Sequence, residues 1–121
     1  MPSDIKILSA LYDIRDSIAR ARKFGHGLTF EQFCENEMAL HAIIRMLEII
    51  SEACRRLCRI EPDVRGRHPT IPWQDVMDAG NFYRHQYDDV AEIEIWKTLQ
   101  HDLAPLLVVT LAEIDRVEAR S

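Results

Sequence analysis

Between Glu37 and Ile60 an apolar side chain recurs every three or four residues: Leu40, Ile43, Leu47, Ile50, Cys54 and Leu57. That spacing matches the 3.6-residue period of a helix and not the two-residue period of a strand. No proline or glycine interrupts the segment. Ile44, Met46 and Ile49 widen the stripe, so this helix has apolar neighbours on two sides. A long helix with so broad an apolar face must bury it against other helices, and this requirement restricts the chain to a helical bundle.

The remaining segments supply the partners. Ile7, Leu11, Ile14, Ile18 and Ala21 form one stripe on a helix from about Ser3 to Lys23, with Ser3 as N-cap and Asp4 in its first turn. The "FGHG" that follows closes it, since glycine readily takes the left-handed conformation of a helix end. Thr29 and Gln32 have the spacing of a capping box and open a second helical stretch carrying Phe30 and Phe33, with a break near Asn36. After the long helix, "EPDVRGRHPTIPW" reads as a connecting loop, because Pro62, Gly66, Pro69 and Pro72 oppose a continuing helix. A fourth helix starts around Pro72 and runs to about Tyr87. A fifth runs from about Val90 to Val117, and Pro105 is expected to kink it. The fold expected is all-α: an antiparallel up-and-down bundle of four to five helices with short loops, one domain over residues 1–121. The width of the apolar stripes on the long helices points to a homodimer.

Composition narrows the function classes. Twenty acidic against fifteen basic side chains leave a net charge of −5, which argues against coating nucleic acid by bulk electrostatics. Local basic runs remain: Arg15, Arg20, Arg22 and Lys23, then Arg55, Arg56, Arg59, Arg65 and Arg67. They read first as solvated helix ends, where cations suit the macrodipole. Cys34, Cys54 and Cys58 are an odd set suited to a reducing compartment, and their spacing reads as buried structural thiols. No metal-ligand cluster, Gly-rich phosphate loop or membrane-length apolar run occurs, so no cofactor, metal or membrane association is expected. The start "MPSDIKIL" has no leader pattern, and the location expected is cytoplasmic. His26, His41, His68 and His101 read as surface residues.

The chemistry concentrates in "NFYRHQYDD", residues 81–89. On a helix Asn81 and His85, four apart, share a face, with Arg84 at its flank. An amide, a guanidinium and an imidazole within one small volume suit an anionic ligand, with His85 able to move protons near neutral pH. Asp88 and Asp89 lie three and four beyond His85, close enough to orient the imidazole if the helix persists. Tyr87 is about 200° around a straight helix from His85, so both serve one site only if the helix loosens or a second subunit closes on them. The bland reading stands beside this one: Tyr83 and Tyr87 pack in the core, and His85 is a surface residue.

Three stretches, "TIPW", "AGNFYRHQYDDV" and "IWKTLQHDLAPLL", together with the "TFEQF" helix start, resemble the HepT-like branch of the HEPN superfamily over nearly the whole chain. The resemblance implies a small all-α homodimer acting as the toxin of a bacterial (type VII) toxin–antitoxin pair. It implies a metal-independent endoribonuclease neutralised when a minimal nucleotidyltransferase antitoxin adenylylates the motif tyrosine. Carried over, His85 matches the motif histidine, Tyr87 the modified tyrosine and Asn81 the polar residue one turn earlier, with both subunits contributing to one groove.

The chain departs from that pattern in one place. The family has arginine directly before the asparagine, and here Gly80 stands there. Arg84, one turn later on the same face, is the candidate to supply that guanidinium, with Gly80 leaving room for it. The rival reading is a catalytically inactive nucleotide-binding or interaction module that still partners a nucleotidyltransferase.

Overall fold

The computed structural model describes the backbone of residues 2–85 and 89–121 and the side chains of residues 3–82 and 92–121. Among these residues every regular element is helical. Helix α1 spans Pro2–Gly25. It starts on the proline, whose missing N–H is one that a helix start leaves unbonded in any case. Ser3, expected as the cap, therefore lies inside the first turn. Asp4 is buried there and accepts from Arg120 Nη2 at 3.0 Å and Ser121 Oγ at 3.3 Å, which ties the two ends of the chain together. The turn after α1 is made by Gly27 at φ 79°, a left-handed backbone that favours glycine.

Helix α2, Phe30–Glu35, is opened by the capping box read from the sequence. Thr29 Oγ1 accepts from the Gln32 amide at 3.1 Å, and Gln32 Oε1 accepts from the Thr29 amide at 3.0 Å. The break comes at Asn36, which ends α2 and starts α3 (Glu37–Ile60), its side chain accepting from the Ala39 amide at 3.0 Å. Helix α3 buries Ile43, Leu47, Ile50, Cys54 and Leu57, with Leu40 only partly covered. It packs antiparallel to α1: Arg56 Nη2 reaches Asp13 Oδ2 at 2.7 Å, and Gly25 lies against Ile43.

The segment after α3 is not wholly loop. Val64–Arg67 forms a single helical turn, α4, with Gly66 inside it. Pro62 and Pro69 flank this turn and so break none of its bonds, while Val64 is fully buried and pulls the turn onto the core. Helix α5 spans Trp73–His85 and α6 spans Asp89–Lys97. Residues 98–102 follow as a π-helical turn and α7 as Leu103–Arg120. The expected distortion at Pro105 thus takes the form of a wider turn just upstream, where the Leu103 amide bonds the Thr98 carbonyl five residues back. Proline has no N–H for the carbonyl of residue 101, and shifting the ladder by one residue before it accommodates the loss. Helix α7 runs antiparallel to α1, with Tyr12 Oη donating to Glu118 Oε2 at 2.7 Å.

A polar cluster fastens α4 to α7. Glu113 is 2% exposed and receives Arg67 Nη2 at 2.6 Å and Arg116 Nη2 at 3.2 Å, with His68 Nε2 at 2.8 Å. Burial alone raises its carboxyl, but the hydrogen bonds from Arg67, His68 and Arg116 and the charge of Arg67 outweigh burial and hold it at about 2. His68 is therefore part of the packed structure and not a plain surface residue. Arg55, Arg56 and Arg67 likewise have protein partners, so the second basic run is not simply a set of solvated ends. Cys54 is buried, and burial pushes its thiol up; Cys58 is partly buried and shifted the same way for the same reason. Among the described residues no helix is long and apolar enough to cross a membrane, and no three His, Cys, Asp or Glu side chains cluster as metal ligands.

Candidate active site

The site begins with the turn that starts α5. Ile71 and Trp73 are buried while Pro72 between them is exposed. The Trp73 indole donates to the His68 carbonyl at 2.9 Å, and the Val76 amide bonds the Pro72 carbonyl at 3.0 Å. Since the His68 imidazole is held by Glu113, the α5 start is linked to α7 through this one residue, by its carbonyl on one side and its ring on the other. A cleft of about 310 Å³ beside this turn is lined by Arg65, Pro69, Ile71, Pro72, Trp73, Gln74 and Asp75. It lies at the far end of α5 from His85, a span of about 18 Å at the helical rise. A more open hollow of about 630 Å³ lies between the α1–α2 corner and the start of α3.

Helix α5 lies antiparallel on α3. Trp73, Met77 and Gly80 face the core. Ser51 Oγ donates to the Val76 carbonyl at 2.6 Å, and Arg55 Nη2 donates to the Met77 carbonyl. The opposite stripe, Gln74, Asp78 and Asn81, is exposed, with Gln74 Nε2 donating to Asp78 Oδ1 at 3.0 Å. Asn81, the last of the stripe, lies four residues before His85, with which α5 ends.

Gly80 itself is not a vacancy. A β-carbon there would stand 3.2 Å from Ser51 Cβ and 3.6 Å from Ser51 Oγ. The space over Gly80 is occupied by α3, so it does not leave room for another side chain. The side chains of Tyr83, Arg84, His85 and Asp89, and all of Tyr87 and Asp88, lie outside the described residues. Further along the chain Trp96 packs against Phe33 (ring centroids 5.2 Å apart) and Phe30 (5.8 Å).

Ser51 and Asp78 are not singled out by the sequence, and Arg55 appears there only as one cation of a basic run at a helix end. The signal for Ser51 and Arg55 was visible. They sit four apart on one face of a helix whose other inward positions are apolar, and a buried serine there needs an acceptor.

Residues 14–112 match the family described as Ribonuclease HepT-like. Among the curated proteins the chain is 34% identical to "Putative RNase MJ1380" of Methanocaldococcus jannaschii over 93 residues, covering 77% of this chain and 83% of that one. It is 33% identical to "Probable ribonuclease HepT" of Thermococcus cleftensis over 96 residues, covering 79% and 84%. "Putative RNase MJ0125" of Methanocaldococcus jannaschii is 31% identical over 100 residues, covering 83% and 82%. No solved structure matches the chain. An all-α chain with an exposed Asn81 on the helix that leads to His85, matched over most of its length by this family, belongs to the HepT-like ribonuclease family.

Proposed function

We propose that this chain is the toxin of a toxin–antitoxin pair, acting in the cytoplasm as a homodimeric, metal-independent endoribonuclease. The observation that carries the reading is family membership combined with an exposed Asn81 on α5, the helix that ends at His85. The reaction is transesterification. The 2′-oxygen of the RNA attacks the adjacent phosphorus, the bond to the 5′-oxygen breaks, and a 2′,3′-cyclic phosphate and a 5′-hydroxyl result. One His85 takes the 2′-hydroxyl proton, and the His85 of a second copy gives a proton to the leaving oxygen. Arg84 stabilises the charge on the phosphorane, and Asn81 orients the phosphate or the imidazole. Val108 at 68% exposure and Leu111 at 43%, one turn apart on α7, give apolar surface available to an assembly. The partner is a minimal nucleotidyltransferase that adenylylates Tyr87.

Incubating the purified protein with RNA in EDTA tests this. The expected result is cleavage to cyclic-phosphate ends that disappears in His85→Ala. Cleavage that survives that substitution, or that needs a divalent ion, overturns it. Gly80, packed on Ser51 where the family pattern has arginine, favours the second reading of a catalytically silent module that still binds the nucleotidyltransferase. Absence of cleavage together with adenylylation of Tyr87 supports that alternative.

A further inference from the structure

We propose that Ser51 and Arg55 of α3 are positioning residues, setting the rotation of α5 that presents Asn81 and His85 to the substrate; this rests on the ribonuclease reading above. Both donate to main-chain carbonyls of α5, Ser51 to Val76 and Arg55 to Met77. Those carbonyls are the ones that a regular helix pairs with the amides of Gly80 and Asn81. A second donor from outside therefore grips α5 at the turn from which the motif projects.

Two grips on successive carbonyls matter because these sit about 100° apart around the helix axis. One contact is a pivot, whereas two on either side of the interface stop the helix from rolling. Apolar packing of Val76 and Met77 alone is non-directional and tolerates a roll. The reacting atoms of a side chain lie about 5–6 Å from the axis, so a roll of about 10° moves them by about 1 Å. A misplacement of that size can cost on the order of 10²-fold in rate. The close approach at Gly80 is what brings the Ser51 hydroxyl within reach: it is 3% exposed and 2.6 Å from its acceptor. Neither residue touches substrate in this scheme; both act through the helix.

Kinetics of Ser51→Ala, Arg55→Met and Arg55→Lys on RNA in EDTA test the proposal, with the folded fraction followed by circular dichroism. The expected result is a kcat lowered about tenfold or more in Ser51→Ala and Arg55→Met, with KM within twofold. Arg55→Lys, which keeps a donor for the Met77 carbonyl, regains much of the rate. A raised KM with unchanged kcat makes Arg55 a phosphate contact and overturns the proposal, as does full activity in both variants. The ¹H and ¹⁵N shifts of the Asn81 side-chain amide and the His85 ring give a readout independent of cleavage. They move in Ser51→Ala and Arg55→Met if α5 rolls. If they stay in place the positioning role is wrong, whether or not the wild type cuts RNA. If the wild type does not cut RNA, the ribonuclease reading fails separately and the shifts alone decide.

Discussion

Gly80 and Ser51 meet where α5 crosses α3, so closely that a β-carbon on the glycine would come within 3.2 Å of Ser51 Cβ. That atom is bonded to the α3 backbone and cannot rotate away. Alanine at position 80 gains helix propensity worth up to about 1 kcal/mol. Overpacking costs typically about 1–3 kcal/mol, and here it also stretches the Ser51–Val76 hydrogen bond. Gly80→Ala is therefore expected to lower stability by about 1 kcal/mol, read as a fall in Tm of about 4 °C. Gly80→Arg, which restores the family residue, is expected to lower Tm further and not to raise RNA cleavage. A rise in both would mean that α3 yields at this crossing.

Replacing Glu113 by Gln removes the one buried negative charge that Arg67, His68 and Arg116 share. Breaking a buried pair costs about 3–5 kcal/mol when the partner is left stranded. Here Arg67 and Arg116 are about one-third exposed, at 30% and 32%, and can turn to water. The expected loss is therefore nearer 2 kcal/mol, measured by urea unfolding. A change under half of that would show the cluster to be near neutral in net stability.

The same carboxylate sets an acid limit. Its folded-state value of about 2 lies below the ordinary 4.5, so the folded chain binds this proton less readily than the unfolded one. The resulting stability is fully present above pH 4.5 and is lost as pH falls from there toward 2. Tm should decline over that window, and Glu113→Gln should flatten the decline. Asp4, held low chiefly by its hydrogen bond from Arg120, contributes with the same sign.

The helices were legible because their determinants are local. The α3 stripe, the Thr29–Gln32 box and the Asn36 break each depend on residues within a turn or two of one another. What the sequence concealed depends on pairs far apart in the chain. Ser51 meets Val76, Arg55 meets Met77 and His68 meets Glu113 only after the helices are packed. The reading of His68 as a surface residue failed for that reason. Gly66 suggests a break in the helix, yet it sits in a turn that its own first residue, buried Val64, fixes to the core. At the site, helical period predicts Asn81 and His85 on one face, and the side chain of His85 lies outside the described residues. The same period places Gly80 and Arg84 together, but cannot tell that α3 fills the space over Gly80.

Arg84 is the residue on which the departure from the family motif turns. Losing a group that stabilises developing charge costs about 10²–10³ in rate. Arg84→Ala, with the fold intact by circular dichroism, is expected to lose RNA cleavage by that factor. Unchanged cleavage assigns the phosphorane charge to another group and ends the relocation idea.

Tyr87 tests the regulatory half of the proposal. An adenylyl group there adds bulk and a negative phosphate close in sequence to Arg84 and His85. The phosphate pairs with the guanidinium, and the nucleoside covers the groove that RNA would enter. Incubation with ATP and the nucleotidyltransferase should add one adenylyl mass to the wild type and none to Tyr87→Phe. The modified protein should lose RNA binding, and the residual binding of the unmodified form should weaken as salt rises, because its contacts are to phosphates. If the mass appears equally in Tyr87→Phe, another side chain is the acceptor and the carry-over of the tyrosine from the family motif is wrong.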